Sequence, residues 1–162
     1  MSRARTPASV SLEERRRVMT RVDHLVRRKQ VEIERAVRLL RTHFIDHRPR
    51  APRRGTLHRI LLIGPHARRQ AVPDRETGEI NDYDLWAFVD HPVYRGMNRY
   101  WGLARMVVAS SLRGRATITL GVFTIDEIER LRAVGNRYFI DRYDHGIVLY
   151  DRDEGEQDLA DD

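Results

Sequence analysis

The sequence predicts a single α+β domain, α/β/α-like in its layering, in which helices flank a small mixed β-sheet. The first observation is a helical spacing of apolar residues over 11–47. The second is a set of short apolar runs bounded by glycine, proline or charged residues, at 57–64, 82–90, 116–124 and 147–151. Helical patterns separate the last three runs, and this alternation indicates a small sheet covered by helices.

The N-terminal segment is predicted to be helical and basic. "SLEE" at 11–14 has the capping-box pattern, with Ser11 as the N-cap and Glu14 three residues later. Apolar residues then recur every three or four positions as far as Phe44, with a break expected near Arg27 to Gln30. "HRPRAPRRG" ends the helical region, because proline and glycine interrupt helices.

The central part of the chain contains two predicted strands and a helix. "LHRILLIG" and "DYDLWAFVD" read as buried strands separated by a polar loop at 65–81. The next segment contains an amphipathic helix that ends at Gly114. Its inner side is predicted to carry four apolar residues, Tyr100, Leu103, Val107 and Leu112.

The closing part adds a third strand, two helices and a last strand. "ATITLGVFT" is the third strand, and the helix after it has Thr124 as its N-cap and Gly135 beyond its end. A short helix and a turn at Gly146 lead to "IVLYD", whose open edge is a candidate surface for a homodimer.

These elements predict a single folded domain at 11–151, in which 11–47 is helical and 57–151 forms the sheet core. A disordered N-terminus at 1–10 and an acidic disordered tail at 152–162 are expected to flank it.

Composition excludes several classes of protein. The 162 residues contain no cysteine, so neither a disulfide framework nor a thiolate zinc site can form. No apolar run approaches the roughly 20 residues that span a bilayer, so no membrane partner is expected. The basic start lacks an apolar segment of the kind found in secretory signals, and a cytoplasmic location is expected.

Charge is distributed unevenly along the chain. Residues 1–59 hold 17 Arg and Lys against 6 Asp and Glu, whereas the remaining residues hold 13 against 18. A basic segment of this size can bind RNA, DNA or an acidic protein surface. It is equally compatible with the solvated faces of arginine-rich helices.

Two aspartates stand at the start of the second apolar strand. Residues i and i+2 of a strand point to the same side, so Asp82 and Asp84 project together while Tyr83 and Leu85 point the other way. Adjacent carboxylates repel, and a divalent cation removes this conflict. Magnesium is the usual cation where carboxylates meet phosphates. The backbone after Gly64 lies where it could approach phosphate oxygens.

An apolar strand, a glycine turn, a loop and Asp-x-Asp together resemble the nucleotidyltransferase fold of the DNA polymerase β-like superfamily. More narrowly, residues 25–151 are similar to the minimal nucleotidyltransferase domains that accompany HEPN domains in bacterial toxin–antitoxin systems. The segments that carry the resemblance are "RILLIGPHAR", "INDYDLWAFVD" and "VFTIDEIERLRAVGNRYFIDRYDHGIVLYD".

The resemblance implies specific roles. Asp82 and Asp84 would be catalytic and would hold Mg²⁺ or Mn²⁺ bound to a nucleoside triphosphate, with ATP the expected substrate. Gly64 would be the turn glycine, and Arg68 a phosphate contact. The predicted nucleotide-binding turn also includes Pro65 and His66. From the residues alone, His66 is a candidate donor to a phosphate, or else an exposed loop histidine.

Two positions depart from the family pattern. Pro65 stands where the family has serine, and proline supplies neither a hydroxyl nor a backbone N–H. Many members place a third carboxylate on the later strand, where this chain has Thr117 or Thr119.

Three functions follow as hypotheses. The first is binding of Mg-ATP with transfer of AMP to a protein or RNA, where a HEPN protein encoded as a separate chain would be the acceptor and would be silenced. The second is a pseudoenzyme that uses the fold to bind a partner. The third is an RNA-binding adaptor led by the basic N-terminal helices, whose binding would survive loss of both aspartates.

Overall fold

The structure, a computed structural model, describes residues 10–50, 54–68 and 81–154. Within this part of the chain it is a mixed α+β fold, as predicted, with a four-stranded sheet flanked by helices. Nearly all of the predicted disordered N-terminus, most of the long loop and most of the acidic tail lie outside the described residues.

The first helix, α1, begins where the capping box predicts. It spans Leu12–Arg21, and both capping hydrogen bonds form. The Glu14 amide donates to Ser11 Oγ at 3.2 Å, and the Ser11 amide donates to Glu14 Oε2 at 2.9 Å. These bonds satisfy two amides that the start of a helix would otherwise leave without partners.

The second helix, α2, spans Arg27–Asp46. The break between the helices therefore lies at 22–26, and its prediction at Arg27 to Gln30 was wrong. Those residues, two arginines, a lysine and a glutamine, are good helix formers and make the first turn of α2. The turn between the helices instead uses the buried Val22, whose carbonyl accepts from the Leu25 amide at 3.0 Å.

The four strands form one mixed sheet in the order β3-β2-β1-β4. Strands β2 and β3 are parallel, whereas β1 pairs antiparallel with both β2 and β4. The strands are β1 (Leu57–Ile63), β2 (Asn81–Val89), β3 (Ala116–Thr124) and β4 (Ile147–Asp151). Each begins within one residue of its predicted position.

Helices make the connections between β2 and β4. They are α3 (Pro92–Arg95), α4 (Asn98–Ser111), α5 (Ile125–Ala133) and α6 (Arg137–Asp144). The parallel pairing of β2 and β3 requires a crossover, which α3 and α4 supply. Thr124 caps α5 as predicted, because its hydroxyl accepts from the Glu127 amide.

The inner side of α4 differs from the prediction. Leu103 and Val107 are 49% and 44% exposed, whereas Trp101, Ala104 and Val108 are buried. Leu112 is buried and Tyr100 packs against the core, as predicted. The rest of the buried face is displaced by one residue, which is a rotation of about 100° about the helix axis. The Trp101 indole donates to the carbonyl of Tyr94 at 2.7 Å, and this buried bond favours the observed orientation.

The sheet separates two apolar clusters. Alternate β2 residues, among them Tyr83 and Leu85, pack on one face against α1, α2 and α4. Trp86 and Phe88 pack on the other face with Ile128 and Phe139, from α5 and α6. Because strand side chains alternate, Asp82 and Asp84 belong to the same face as Trp86 and Phe88.

The chain continues in described form beyond β4. Residues 152–154 form a helical turn, and the Glu154 carboxylate lies 2.7 Å from Arg21 Nη2 and 3.5 Å from Arg17 Nη1. The folded part therefore extends three residues past the predicted boundary at 151. In the part of the chain that the structure describes, no helix is both long and apolar enough to cross a bilayer.

Candidate functional site

The two aspartates lie together at one end of the sheet. Asp82 is opposite Thr117 and Asp84 is opposite Thr119 in the parallel pairing of β2 with β3. On the other side, Asp84 is opposite Ile63, the last residue of β1. Asp82 is exposed and Asp84 is half-buried. The carboxylates therefore sit beside the turn that follows β1.

Gly64 begins that turn in direct proximity to Asp84. Its φ of +77° is in the left-handed region, where glycine is favoured. A Cβ atom placed on Gly64 would lie 2.7 Å from Asp84 Oδ2, which is too close for a carbon and an oxygen that are not bonded. Glycine is therefore needed here both for the backbone conformation and for the space that the carboxylate occupies.

The backbone of the turn has few donors to offer a ligand. The amides of Ala67 and Arg68 both donate to the Gly64 carbonyl, at 3.1 and 3.2 Å. Pro65, which is exposed, has no amide hydrogen. Any anion held here would depend mainly on side chains.

Helix α6 supplies such side chains and completes a cleft of about 280 Å³ beside the turn. The cleft is lined by Gly64, Pro65, Arg68, Tyr138, Asp141 and Arg142. Of the predicted site residues, it brings together the glycine, the proline and Arg68. The Arg142 guanidinium lies 4.3 Å from the centre of the Tyr138 ring, in a cation–π arrangement.

The α6 residues were missed by the sequence analysis. The signal available was "RYFIDRYD", in which Tyr138 and Arg142 are four residues apart and so lie on one side of a helix. Nothing in that spacing says which end of the sheet they face.

Electrostatics at Asp84 reflect opposing effects. Burial raises the pKa of its carboxyl group above the ordinary value, and the nearby charge of Asp82 raises it further. A hydrogen bond from Thr119 and the positive charge of Arg142 act in the opposite direction. The charged form of Asp84 is thus less favourable here than in water, as expected of a site suited to a cation.

Two threonines of β3, Thr117 and Thr119, lie opposite the two aspartates. The Thr117 hydroxyl donates to Asp82 Oδ1, and Thr119 hydrogen-bonds Asp84. The two β2 aspartates therefore each have a hydroxyl partner on β3, and Asp141 in the wall of the cleft is a further carboxylate.

His66 lies away from the cleft. It is 3% exposed, so the alternative of an exposed loop histidine was wrong. Its ring centre is 4.9 Å from that of Tyr83, on the face of β2 opposite the aspartates, and its Nε2 is 3.4 Å from Lys29 Nζ. Burial, with the charges of Lys29 and His24, lowers the pKa of His66 to about 4. A neutral buried ring in this position does not face a ligand at Asp82 and Asp84.

The residues present fit a magnesium ion held with a phosphate ligand. Mg²⁺ is commonly bound by one or two carboxylates while water and substrate phosphates fill its other positions. Among the described residues, no group of three or more His, Asp or Glu side chains is arranged to hold a metal. Asp82 and Asp84 could therefore hold Mg²⁺ only together with such outside ligands.

Comparisons with protein-family models, with curated proteins and with solved structures found no significant match. The chemical interpretation of the site thus depends on its own residues.

Proposed function

We propose that this protein binds a magnesium-bound nucleoside triphosphate, with ATP the expected ligand, and transfers its nucleotidyl group to an acceptor. The observation that carries the proposal is the juxtaposition of Asp82 and Asp84 with the Gly64 turn and the basic cleft beside it. Carboxylates that favour a divalent cation and guanidinium groups that favour phosphates lie at the same end of the sheet.

Different residues of the site would bind different parts of the ligand. Asp82 and Asp84 would hold the cation, which when bound neutralises phosphate charge. Arg68 and Arg142 would contact phosphate oxygens, partly replacing the donors that Pro65 cannot provide. The exposed ring of Tyr138 would offer an apolar face to the base.

The transfer itself is a substitution at phosphorus. An acceptor hydroxyl oxygen forms a bond to the α-phosphorus while the bond from that phosphorus to the bridging oxygen of the β-phosphate breaks. Pyrophosphate leaves, and the hydroxyl proton passes to solvent. The protein contributes mainly position and charge stabilisation in such a reaction.

Calorimetric titration with ATP tests the proposal. We expect binding in Mg²⁺, none in EDTA, and none in the Asp82→Asn, Asp84→Asn double variant. The Asp23→Asn, Asp46→Asn double variant removes two exposed carboxylates elsewhere and should bind as the unchanged protein does. Binding that persists without the site aspartates would overturn the proposal.

A second candidate function is nucleotide binding without transfer, as in a pseudoenzyme. The observation that favours it is that Thr117 and Thr119 stand beside the aspartates where a third carboxylate would assist the reaction. ATP labelled at the α-phosphate distinguishes the two functions. Label that appears on an acceptor supports transfer, whereas Mg²⁺-dependent binding with no labelled product supports binding alone.

The same proposal includes the identity of the molecule that accepts the nucleotidyl group. By the family resemblance, a HEPN-domain protein encoded as a separate chain is the first acceptor to test, and RNA is the second. Co-incubation of each with labelled ATP, with the double aspartate variant as control, would identify it.

A further inference from the structure

A second basic surface lies between α2 and the turn that leads into β3. It is a groove of about 730 Å³, here called the arginine groove. The side chains that could contact an anion are four arginines and two serines, Arg28, Arg35, Ser110, Ser111, Arg113 and Arg115. It shares no lining residue with the cleft at Gly64.

Arginines elsewhere in the N-terminal helices are largely engaged in ion pairs. Arg15 lies 2.8 Å from Glu34, which also pairs with Arg38 at 3.1 Å. Arg41 lies 3.1 Å from Glu14. The positive charge on this side is thus largely balanced by carboxylates within the fold.

The arginine groove is different. Arg113 and Arg115 are exposed, and neither forms an ion pair with any residue that the structure describes. Arg35 donates a long bond, 3.5 Å, to the carbonyl of Ser111 and has no ion pair within residues 10–50, 54–68 and 81–154. Arg113 and Arg115, which lie outside the basic N-terminal segment, therefore add positive charge that no ion pair among the described residues balances.

One carboxylate forms part of the wall of the groove. Glu32 is 8% exposed, and Arg28 Nε is 3.8 Å from its Oε1. Burial raises the pKa of the Glu32 carboxyl, while the charges of Arg28, Lys29 and Arg115 and the Tyr83 hydroxyl act in the opposite direction, so Glu32 balances part of the charge of Arg115. With four arginines against this single carboxylate, the lining keeps an excess of about three positive charges.

The groove opens at the end of the sheet that carries the aspartates. Arg115 immediately precedes Ala116, which is opposite Asn81 in the sheet. Thr117, the partner of Asp82, is two residues from Arg115, or about 7 Å along an extended strand.

We propose that the arginine groove binds the phosphodiester backbone of a single-stranded nucleic acid. Four guanidinium groups and two serine hydroxyls line one groove and offer donors to the repeated phosphates of a strand. The concave shape favours a single strand over a duplex. None of the lining residues is aromatic, so contact through phosphates with little base preference is expected. This binding does not depend on whether Asp82 and Asp84 hold a nucleotide.

Fluorescence anisotropy with mixed-sequence 12-nucleotide RNA and DNA strands tests the proposal. Three or four phosphate contacts predict that the logarithm of affinity falls with that of salt with a slope of about −2 to −3. The Arg113→Ala, Arg115→Ala double variant should bind at least about tenfold more weakly and reduce that slope by about 1.4. Tighter binding of RNA than of DNA would identify RNA as the preferred strand, and the reverse would identify DNA.

A matched control distinguishes binding in the arginine groove from general attraction of the strand to positive charge. The Arg99→Ala, Arg130→Ala double variant removes the same two charges at exposed positions outside the groove, and it should retain nearly all of the affinity. Equal weakening in both variants would overturn the proposal, as would the absence of strand binding. Tighter binding of a duplex or of polyglutamate would also overturn it. The Asp82→Asn, Asp84→Asn variant should bind the strand unchanged, which keeps this test distinct from that of the proposed function.

Discussion

A Cβ atom at Gly64 would lie 2.7 Å from Asp84 Oδ2, so the turn after β1 and the carboxylate on β2 occupy complementary space. Gly64 and Asp84 are therefore close in space although a long loop separates them in the sequence. This proximity makes the first residue of the turn a direct determinant of where the carboxylate can lie.

Gly64→Ala is therefore expected to displace Asp84 and abolish Mg²⁺-dependent ATP binding. The left-handed backbone would add a loss of stability of about 1 kcal/mol or more. Gly135→Ala is the matched control, because Gly135 has a φ of +69° but no neighbouring atom within 4 Å of the added carbon. Thermal unfolding and ATP titration of both variants check this. Equal behaviour of the two would show that the contact with Asp84 has no functional consequence.

Asp84→Asn is expected to leave the metal-free protein at least as stable as the unchanged one. Burial and, to a lesser extent, the charge of Asp82 raise the pKa of Asp84, so its charged form is less favourable in the folded protein than in the unfolded chain. Melting temperatures in EDTA and in Mg²⁺ with ATP test this. We expect ligand to raise the Tm of the unchanged protein and not that of the variant. A large loss of stability in EDTA would contradict the expectation.

Phe139 and Tyr138 are adjacent on α6 but should behave differently. Phe139 is buried and stacks on Trp86 with ring centres 4.6 Å apart, so Phe139→Ala should cost about 3–5 kcal/mol in unfolding free energy. Tyr138 is 70% exposed, so Tyr138→Ala should leave stability nearly unchanged and weaken ATP binding. Denaturant unfolding and calorimetry measure the two effects. Unchanged ATP affinity in the Tyr138 variant would remove that ring from the binding site.

His66 predicts a pH dependence of stability. Its pKa is about 4 in the folded protein against 6.5 ordinarily, so between these values the unfolded chain binds a proton that the folded protein does not. This histidine's contribution to stability is present above pH 6.5 and falls as the pH decreases toward 4, by at most about 1.4 kcal/mol per pH unit. The His66→Gln variant should show a shallower dependence over that range. Parallel curves for the two proteins would mean that His66 binds protons equally in the folded and unfolded states and would contradict the prediction.

Thr117→Asp adds a third carboxylate beside Asp82, because the parallel register places the two residues opposite each other. We expect Mg²⁺ affinity to rise by about tenfold or more, since affinity for hard cations increases with ligand charge. The metal-free variant should melt at a lower temperature because of repulsion between carboxylates. Thr117→Asn, which adds similar bulk without charge, is the control, and equal Mg²⁺ affinities in the two variants would contradict the expectation.

Local patterns were sufficient for most of the secondary structure. The capping box at Ser11, the alternation along β2 and the cap at Thr124 depend on residues near one another in sequence, and each was predicted correctly. The shared side of Asp82 and Asp84 follows from the period of a strand. The break before α2 was misplaced although the helix propensity of Arg27 to Gln30 was available in the sequence. The rotation of α4 was not predicted, because its packing and the buried bond from Trp101 to Tyr94 decided it.

The sequence by itself determined an α+β chain with two adjacent carboxylates at the start of a strand and a glycine turn before it. Only the tertiary structure decided what surrounds them. Strand pairing placed Thr117 and Thr119 beside the aspartates, and the path of α6 brought Arg142 to the cleft. The tertiary structure also buried His66 on the opposite face of the sheet. It left Arg113 and Arg115 without ion pairs among the described residues. The physical reason is that the repeat of a strand or helix determines which way each side chain points, and this repeat is visible in the local sequence. Which residues become neighbours across the sheet depends instead on how segments distant in sequence pack together.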